Sequence, residues 1–287
     1  MNEKIFINGK FVDIKDAKIS IFDRSFLYGD AAFETMRSYA GAIFKLDAHI
    51  ARLLGTLKAL KIKHPYTKDR LKRIICKSLH ANRLKSAYMR LVITRGEGRF
   101  GIGHKDTFTP NIVVVAKNFE GYPGWMSSKG VSAKVIGVTN EYSALCRMKT
   151  ANYLNFILAR FDAQEMGFDE AILTNTRGNI TEGATSNIFL VKTGALITPS
   201  IASGVLPGVT RGVIIGIAKK LRIPVKERPV SCRELLSAEE VFLTNSLAEV
   251  LPVTKIDSKK ISAGQVGRFT KLLHISYQKQ VIREVLK

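Results

Sequence analysis

The sequence predicts an α+β protein of two domains. Its 287 residues suffice for one large domain or two modest ones. Segments with strand-like and helix-like patterns occur in both halves of the chain. Between the halves, residues 118–130 contain three glycines and one proline, a composition typical of a linker. We therefore expect a small α/β domain at 1–118, an interdomain loop at 119–130 and a larger domain at 131–287.

The first half of the chain predicts a hairpin, two helices and two strands. Asn8-Gly9 lies between short apolar runs and is typical of a tight β-turn. The helices are indicated by leucine and isoleucine at helical spacing, and the strands by runs of β-branched and other apolar residues. The predicted elements are a hairpin at 5–12, helices at 47–61 and 67–82, and strands at 87–94 and 111–116.

The second half predicts further strands and helices in alternation. Gly167 stands where the first of these helices should end, as glycine commonly does at a helix C-terminus. The basic segment 255–287 has apolar residues at roughly helical spacing, so it predicts an amphipathic helix with a solvated face. The other predicted elements are strands at 131–138, 171–174, 188–191, 195–198 and 241–244, and helices at 150–166 and 209–221.

The chain is strongly basic, with a formal net charge of +21. A basic surface gathers phosphates, and nucleic-acid binding is therefore one interpretation. However, the charge is spread along the chain without a Lys/Arg-rich block or interleaved aromatic residues. We expect no nucleic-acid partner and a field that attracts anionic substrates and cofactors.

No feature of the sequence indicates a membrane, a secretory route or a metal. Apolar runs fall short of the roughly 18 residues that a membrane-spanning helix needs, and the N-terminus lacks the apolar stretch of a signal peptide. Cys76, Cys146 and Cys232 are odd in number and far apart, which favours neither disulfides nor a zinc site. The expected compartment is the cytoplasm.

Lys149 is the first candidate for chemistry. It is expected at the entry to a helix, beside apolar residues and close to Arg147. Apolar surroundings and a neighbouring cation can lower the pKa of a lysine enough to make it a nucleophile. The pattern alone leaves a surface lysine as the alternative.

Other polar segments lie at the ends of predicted strands and helices. Glu182 begins a glycine-containing loop between strands, and residues 206–211 open a helix whose free N–H groups suit an anion. Residues 242–246 form a second polar turn after a buried strand. Arg52 lies beside the apolar face of its helix and needs a partner there. Plain turns, an ordinary helix cap and a structural ion pair are the alternatives.

In their order along the chain, these segments resemble the fold-type IV, or class IV, pyridoxal-phosphate enzymes. That family includes branched-chain aminotransferases, D-amino-acid aminotransferases and aminodeoxychorismate lyases. The resemblance extends from Phe6 to the C-terminus. It implies a two-domain fold like that of D-amino-acid aminotransferase, with the active site between the domains, the cofactor on the larger domain, and a homodimer.

The resemblance also assigns cofactor roles. Lys149, in Lys149-x-x-Asn152-Tyr153, matches the lysine that bonds to pyridoxal 5'-phosphate and then moves a proton. Tyr153 matches the tyrosine at the ring oxygen, and Glu182 the acid that pairs with the pyridine nitrogen. The residues matched to the cofactor phosphate and the lower face of its ring are Arg52, Leu206, Val209, Thr210, Asn245 and Ser246.

The substrate, a small amino acid or keto acid, is less sharply defined. Tyr28 and Phe33 match both the branched-chain aminotransferases and the lyases, whereas Tyr88-x-Arg90 resembles the aminotransferases. Thr35 matches the lyases, in which a hydroxyl assists the leaving group. The position of Arg99 is close to that of a substrate-carboxylate arginine of the lyases and the D-amino-acid enzymes.

The predicted function is transfer of an amino group from a branched-chain or similar amino acid to 2-oxoglutarate, with Lys149, Glu182 and Thr35 as catalytic candidates. The alternative is an aminodeoxychorismate lyase that forms 4-aminobenzoate and pyruvate. A D-amino-acid aminotransferase is the third candidate.

Overall fold

The computed structural model describes residues 3–99, 101–103, 108–137 and 144–285. The chain forms two compact units. The first comprises residues 1–120, 148–152 and 283–287, and the second comprises residues 121–147 and 153–282. Five residues around Lys149 thus belong to the first unit although the chain on both sides of them belongs to the second.

The first unit is a six-stranded antiparallel sheet with two helices packed on it. Its strands are β1 Lys4–Ile7, β2 Lys10–Asp13, β3 Ala31–Tyr39, β4 Ala42–Ile43, β5 Ala87–Thr94 and β6 Ile112–Asn118, in the order β2-β1-β6-β5-β3-β4. Its helices are a 3-10 helix at Ile14–Asp16, α1 Arg24–Tyr28, α2 Leu46–Ala59 and α3 Lys68–Ala81. The apolar faces of α2 and α3 pack with the sheet into one core around Leu53, Leu71 and Met89.

Strand β3 has two chemically different faces. Successive side chains of a strand point to opposite faces, so Glu34 and Met36 share the face covered by the helices. Phe33 and Thr35 lie on the other face. Thr35 pairs across the ladder with Arg90 of β5, which places both on that second face.

The segment that contains Lys149 continues the sheet at the start of β3. The Phe33 N–H donates to the Lys149 carbonyl at 3.0 Å, and the Ala151 N–H donates to the Ala31 carbonyl at 3.0 Å. Thr150 forms an isolated antiparallel bridge with Ala32 between them. These bonds hold Lys149 directly beside Phe33.

The second unit is a nine-stranded mixed sheet. Its strands are β7 Val131–Ile136, β8 Glu170–Thr174, β9 Ile180–Gly183, β10 Asn187–Lys192, β11 Ala195–Thr198, β12 Val225–Glu227, β13 Glu240–Asn245, β14 Glu249–Ile256 and β15 Lys259–Lys260. Its helices are α4 Gly124–Lys129, α5 Leu154–Glu165, α6 Val209–Lys220, α7 Cys232–Leu236, α8 Arg268–Val285, whose last residues count with the first unit, and 3-10 helices at Ala144–Arg147, Ile201–Ser203 and Ser262–Gly264.

Six of these strands close on themselves. The order β12-β11-β10-β13-β14-β7-β8-β9 brings β9 beside β8, and β9 also pairs with β10. Strands β10, β13, β14, β7, β8 and β9 therefore form a ring, which removes the exposed edges of those strands. The closing pair is Glu182 with Asn187.

The predicted α+β class is confirmed, and most predicted elements agree with the structure to within a few residues. The predictions at 87–94 and 195–198 match β5 and β11 at both ends. Residues 131–138 contain β7, although Val138 lies outside the described residues.

Three local predictions are wrong. The helix predicted from residue 150 begins only at Leu154, because Thr150 and Ala151 pair with β3. Residues 255–264 continue β14 and form β15 and a 3-10 helix, so the C-terminal helix starts at Arg268. The glycine-rich stretch 118–130 is not wholly a loop, since it contains α4.

None of the helices in the described ranges combines the length and apolar character needed to cross a bilayer. In the same ranges, no group of three or more His, Cys, Asp or Glu side chains is arranged to hold a metal ion.

Candidate active site

Lys149 and Arg90 share the ring of Phe33. The Lys149 Nζ lies 4.5 Å from the centroid of this ring, and the Arg90 guanidinium carbon lies 4.0 Å from it. The ring is buried and offers its negative π-face to both cations. The structure thus brings together three residues that the sequence suggested separately: the amine of Lys149, the guanidinium of Arg90 and the apolar ring of Phe33.

Lys149 is also fixed through its backbone. Its N–H donates to the Thr56 hydroxyl of α2 at 3.4 Å. Three residues later, the Asn152 amide donates to the Gly29 carbonyl at 3.2 Å. Gly29 has φ +67°, and a Cβ there would lie 2.6 Å from the Asn152 Oδ1, so only glycine allows this approach.

Beneath the sheet, Glu34 accepts hydrogen bonds from two side chains of α2. Arg52 donates through Nε to Oε1 and through Nη2 to Oε2, both at 2.7 Å. The His49 Nδ1 lies 2.8 Å from Oε2. His49 and Arg52 are three residues apart, which places both on one face of the helix. The ion pair proposed as the alternative for Arg52 therefore exists, and its partner is Glu34.

The electrostatics of this cluster follow from burial and charge. Burial raises the pKa of the Glu34 carboxyl, but the charge and hydrogen bonds of Arg52, with help from His49, outweigh it and lower that pKa to about 2. Burial lowers the pKa of His49, and the positive charges of Arg52 and Lys149 lower it further against the opposing effect of Glu34. At neutral pH the cluster therefore contains a carboxylate, a guanidinium and a neutral imidazole.

Tyr28 is held by an arginine network. The Arg24 guanidinium lies 4.8 Å from the Tyr28 ring centroid, and it donates to Asp30 at 3.0 Å and to the Gly101 carbonyl at 2.7 Å. The Gly101 N–H in turn donates to the Tyr28 hydroxyl at 3.1 Å. Arg99, near this anchored glycine, is exposed. The network fixes Tyr28.

Thr35 and Tyr88 lie on the same sheet face as Phe33 and Arg90. Thr35 is half-buried and directly opposite Arg90, and Tyr88 is opposite Arg37 on the same two strands. We call the surface formed by Phe33, Thr35, Tyr88 and Arg90 the sheet face.

In the second unit, Glu182 is anchored at the point where the ring of strands closes. It is 8% exposed, and its Oε2 accepts from the Leu206 N–H at 3.1 Å and from the Asn187 amide at 3.3 Å. The Asn187 amide also donates to the Leu206 carbonyl at 2.8 Å. Strand closure and these bonds together hold the Glu182 carboxylate next to the loop that leads into α6.

The start of α6 lets other groups approach its backbone closely. Its N-cap is Gly208, which provides no side chain to cap the first N–H groups, and Thr210 is buried in the first turn beside Val209. A Cβ on Gly208 would lie 1.9 Å from the Asn187 Oδ1. The first turn of a helix offers N–H donors and a positive dipole end, which together suit an anion such as phosphate.

The second polar turn is closed by its own side chain. The Asn245 Oδ1 accepts from the N–H groups of Leu247 and Ala248 at 2.9 and 2.7 Å, so this oxygen stabilises the turn. Two nearby hydroxyls along the sheet, those of Ser186 and Thr244, are buried and have no hydrogen-bond partner among the described residues. Such groups are expected where a polar ligand completes the hydrogen bonding.

Tyr153 lies at the N-terminus of α5, half-buried and 5.2 Å from the ring of Phe156. It lines a cavity of about 300 Å³ in the second unit, and Asn245 and Thr185 line the same cavity. The structure therefore brings Tyr153 and Asn245 to one cavity.

Within each unit the structure groups most of the predicted residues. Sequence reasoning missed Glu34 and Asn187, which hold Arg52 and Glu182 in place, and His49, which bonds to Glu34. The signal for Glu34 was a carboxylate placed directly after the apolar run Ala31–Phe33. No comparable signal marked Asn187, because its role depends on strand closure.

Comparison with known proteins identifies the family. Residues 31–256 match the family model described as amino-transferase class IV. The chain belongs to the class IV aminotransferase family. This confirms the predicted resemblance and shows that the chain is an enzyme of the pyridoxal-phosphate-dependent class.

Relatives in this family include more than one activity. A protein of Methanocaldococcus jannaschii, provisionally named a branched-chain-amino-acid aminotransferase, is 41% identical over 272 residues, which cover 94% of this chain and 93% of the relative. An aminodeoxychorismate lyase of Bacillus subtilis is 34% identical over 283 residues, which cover 96% and 94%.

Solved structures confirm the predicted fold. The branched-chain amino acid aminotransferase of Escherichia coli superposes with a TM-score of 0.93 at 30% identity, over 97% of this chain and 94% of that one. The T.th. enzyme of the same name, solved with N-(5'-phosphopyridoxyl)-L-glutamate, superposes with a TM-score of 0.91 at 30% identity, over 98% and 94%.

The residues present fit pyridoxal 5'-phosphate, the cofactor of this family. The observations that support the fit are the uncapped first turn of α6 at Gly208, the buried hydroxyls of Ser186 and Thr244, and the anchored carboxylate of Glu182. These groups provide N–H donors for an anion, polar atoms that lack a partner among the described residues, and a carboxylate for a protonated ring nitrogen.

Gly208→Ala should destabilise the second unit by about 1–3 kcal/mol, because the added methyl group must displace the Asn187 amide from Leu206 and Glu182. Gly212→Ala on the same helix is the matched control. A Cβ there meets nothing within 4 Å, and alanine in a helix interior should stabilise by up to about 1 kcal/mol. Urea unfolding of the two variants measures the contrast, and equal stabilities would contradict the packing described.

Stability should fall as pH decreases through 6.5, the ordinary pKa of histidine, because of His49. Its pKa is lowered in the folded state, so the unfolded chain takes up the proton first and is favoured by acid. We expect the unfolding free energy of the cofactor-free wild type, minus that of His49→Gln, to decrease between pH 7.5 and 5.5. A difference that does not change with pH would show that His49 titrates normally.

Proposed function

We propose that this class IV enzyme transfers the amino group of a branched-chain amino acid to 2-oxoglutarate. The observation that carries the proposal is the placement of Lys149 and Arg90 on the ring of Phe33. An aliphatic amino acid presents an amino group, a carboxylate and an apolar side chain, and the sheet face offers a counterpart for each. The names of the Methanocaldococcus relative and the Escherichia coli structure support the same substrate class.

On the substrate side, Phe33 would contact the aliphatic side chain and Arg90 would bind a carboxylate. A guanidinium can form two parallel hydrogen bonds with a carboxylate, so Arg90 also suits the second acid group of 2-oxoglutarate. Tyr88 on the same face and Tyr28, held by Arg24, would complete the wall. Arg99 is proposed as a further carboxylate contact.

For the cofactor, we propose that Lys149 holds it covalently and that Tyr153 contacts the ring oxygen. The remaining proposed contacts are Arg52, Val209, Thr210, Asn245 and Ser246 for the phosphate and Leu206 for the ring. Asn245 would contribute its amide nitrogen or backbone, since its Oδ1 closes the turn. When bound, pyridoxal phosphate supplies an electron sink for the carbon that loses its proton.

Two residues of the chain would control protons in this chemistry. The Glu182 carboxylate would hold a proton on the pyridine nitrogen, and Leu206 and Asn187 keep it oriented for that role. The substrate amine would first take the place of Lys149 on the cofactor. The freed Lys149 amine would then take a proton from the substrate α-carbon and return it. The backbone bonds at Phe33 and Thr56 limit where that amine can reach.

A second candidate function is an aminodeoxychorismate lyase, and the observation that favours it is Thr35. Its position opposite Arg90 places it on the sheet face, where a hydroxyl could protonate a leaving group. The Bacillus subtilis relative has that name. Both functions use the same cofactor residues, so only the products separate them.

We also propose that the enzyme is a homodimer. Leu154, Leu158 and Phe161 of α5 are 50–66% exposed and lie at helical spacing together with Ile157. An apolar stripe of this kind is typical of an interface, and a second copy is the simplest partner to cover it. Sedimentation equilibrium of the full chain measures the mass directly.

The three cysteines are free thiols, which suits the reducing cytoplasm as the proposed compartment.

The substrate proposal predicts that leucine, isoleucine and valine, with 2-oxoglutarate, turn over well above D-alanine and aminodeoxychorismate. Thr35→Gly should leave transfer from leucine within about threefold, because this reaction does not need the hydroxyl that is lost with the threonine side chain. Release of 4-aminobenzoate by the wild type, lost in Thr35→Gly, together with no transfer from branched-chain amino acids, would establish the lyase instead.

Lys149→Ala should abolish covalent attachment of the cofactor while the fold is retained. Borohydride reduction of the loaded wild type, followed by peptide mapping, should label Lys149 alone. Lys129→Ala, which removes a lysine from the end of α4, is a control that should keep the label. Label on another lysine in the wild type would refute the assignment of Lys149.

A further inference from the structure

Glu34 is a buried carboxylate held by two side chains of one helix. Its side chain is 1% exposed and that of Arg52 is 12% exposed. The two charges meet through a pair of parallel hydrogen bonds, each 2.7 Å long. His49 adds a third bond to the same carboxylate at 2.8 Å.

Stability alone gives a poor reason for such a cluster. Removing two charges from water is costly, and apolar residues of similar volume often stabilise a fold as well or better. The position is otherwise suited to apolar residues, since the neighbouring Ala32 and Met36 on the same strand face belong to the core. A role in orientation accounts better for a full charge there.

The geometry indicates what is oriented. Glu34 takes the Nε–Nη2 edge of the Arg52 guanidinium, and two parallel bonds fix the plane of that group as well as its position. The N–H groups of Nη1 and the outer side of Nη2 are then directed away from the carboxylate. A lysine could not be fixed in this way, because its ammonium is a point charge without a plane.

His49 completes the orientation without adding a charge. Glu34 is a carboxylate and can only accept, so the imidazole donates through Nδ1 and is the tautomer with hydrogen on that atom. A neutral donor satisfies the carboxylate and leaves Arg52 as its single cationic partner in the cluster. His49 therefore does not compete with Arg52 as a second cation for the Glu34 carboxylate.

We propose that Glu34 is a positioning residue for the cofactor phosphate, acting through the plane of the Arg52 guanidinium. This inference rests on the proposed role of Arg52 as a phosphate contact. It assigns to Glu34 an effect on affinity for the phosphate group and not for the rest of the cofactor.

The test compares binding of pyridoxal 5'-phosphate with binding of pyridoxal, which lacks the phosphate, to the full-length protein after removal of cofactor. Absorbance titration gives both dissociation constants. Glu34→Gln should weaken binding of the phosphorylated form by about 10–100-fold and leave pyridoxal within about threefold. Loss of a hydrogen bond to a charged group accounts for a change of this size.

Glu240→Gln is the matched control. Glu240 is also a buried carboxylate, and it accepts from the Phe269 and Thr270 N–H groups and from the Thr270 hydroxyl, all at the start of α8. Its loss of charge should lower the thermal midpoint but leave both dissociation constants unchanged. An equal loss of both ligands in Glu34→Gln would mean a merely structural role and overturn the inference.

A double-mutant cycle with Arg52→Lys separates this inference from the proposed function. If Glu34 acts through Arg52, the double variant should bind no more weakly than Arg52→Lys alone. Additive losses, or a loss in Arg52→Lys with none in Glu34→Gln, would overturn the role of Glu34 only. If neither Arg52→Lys nor Arg52→Ala changes affinity for the phosphorylated form, both the inference and the proposed phosphate site fail.

If Glu34→Gln does not fold, Glu34→Asp provides the same test. It keeps the charge but shortens the side chain by one methylene, so the parallel bonds to Arg52 cannot both form at 2.7 Å. The expected result is again a selective loss for the phosphorylated cofactor, and equal affinity to wild type for both ligands would overturn the proposal.

Discussion

The chemistry proposed for the first unit depends on one short piece of backbone pairing. Residues 149–151 add themselves to the start of β3 through two hydrogen bonds of 3.0 Å. This pairing brings a lysine that is distant in sequence beside Phe33, and Phe33 in turn is shared with Arg90 of the next strand. Without it, the amine would have no fixed relation to the sheet face.

In the second unit, polar side chains are fixed in place by closure of the ring of strands. Closure of the ring of strands at Glu182 and Asn187 places a carboxylate and an amide side by side. Gly208 then allows the start of α6 to approach that amide closely. A carboxylate on a closed ring of strands has little freedom, which suits the proton-holding role proposed for Glu182.

Periodicity predicted the elements that bury one face, and it failed where pairing was decided by distant parts of the chain. The strand Ala87–Thr94 alternates between buried and half-buried residues as far as Ile93 and was predicted at both ends. The strand Ala31–Tyr39 begins with four buried residues, one of them Glu34, so its pattern gave no period. Residues 150–153 continue a helical pattern, yet pairing with β3 outweighs that local preference.

The same contrast holds for the site. Motifs identified the residues proposed to touch the cofactor, because those residues stand in a recognisable order along the chain. Glu34 and Asn187, which hold Arg52 and Glu182, come from other strands, whereas His49, which donates to Glu34, lies on the same helix as Arg52. Their roles became visible only as distances, such as the 2.7 Å bonds between Glu34 and Arg52.

The use of acidic residues also bears on the net charge of +21. Among the described residues, the buried carboxylates are Asp23, Glu34, Glu170, Glu182, Glu240 and Glu249, whereas the buried arginines are Arg24 and Arg211 and no lysine is buried. These six carboxylates are thus buried in the fold, where they fix helices, strands and arginines. The surplus of lysine and arginine remains near solvent. Keto acids, amino-acid carboxylates and a phosphorylated cofactor are all anions, so a field of this sign favours their approach while the inward carboxylates orient the groups that receive them.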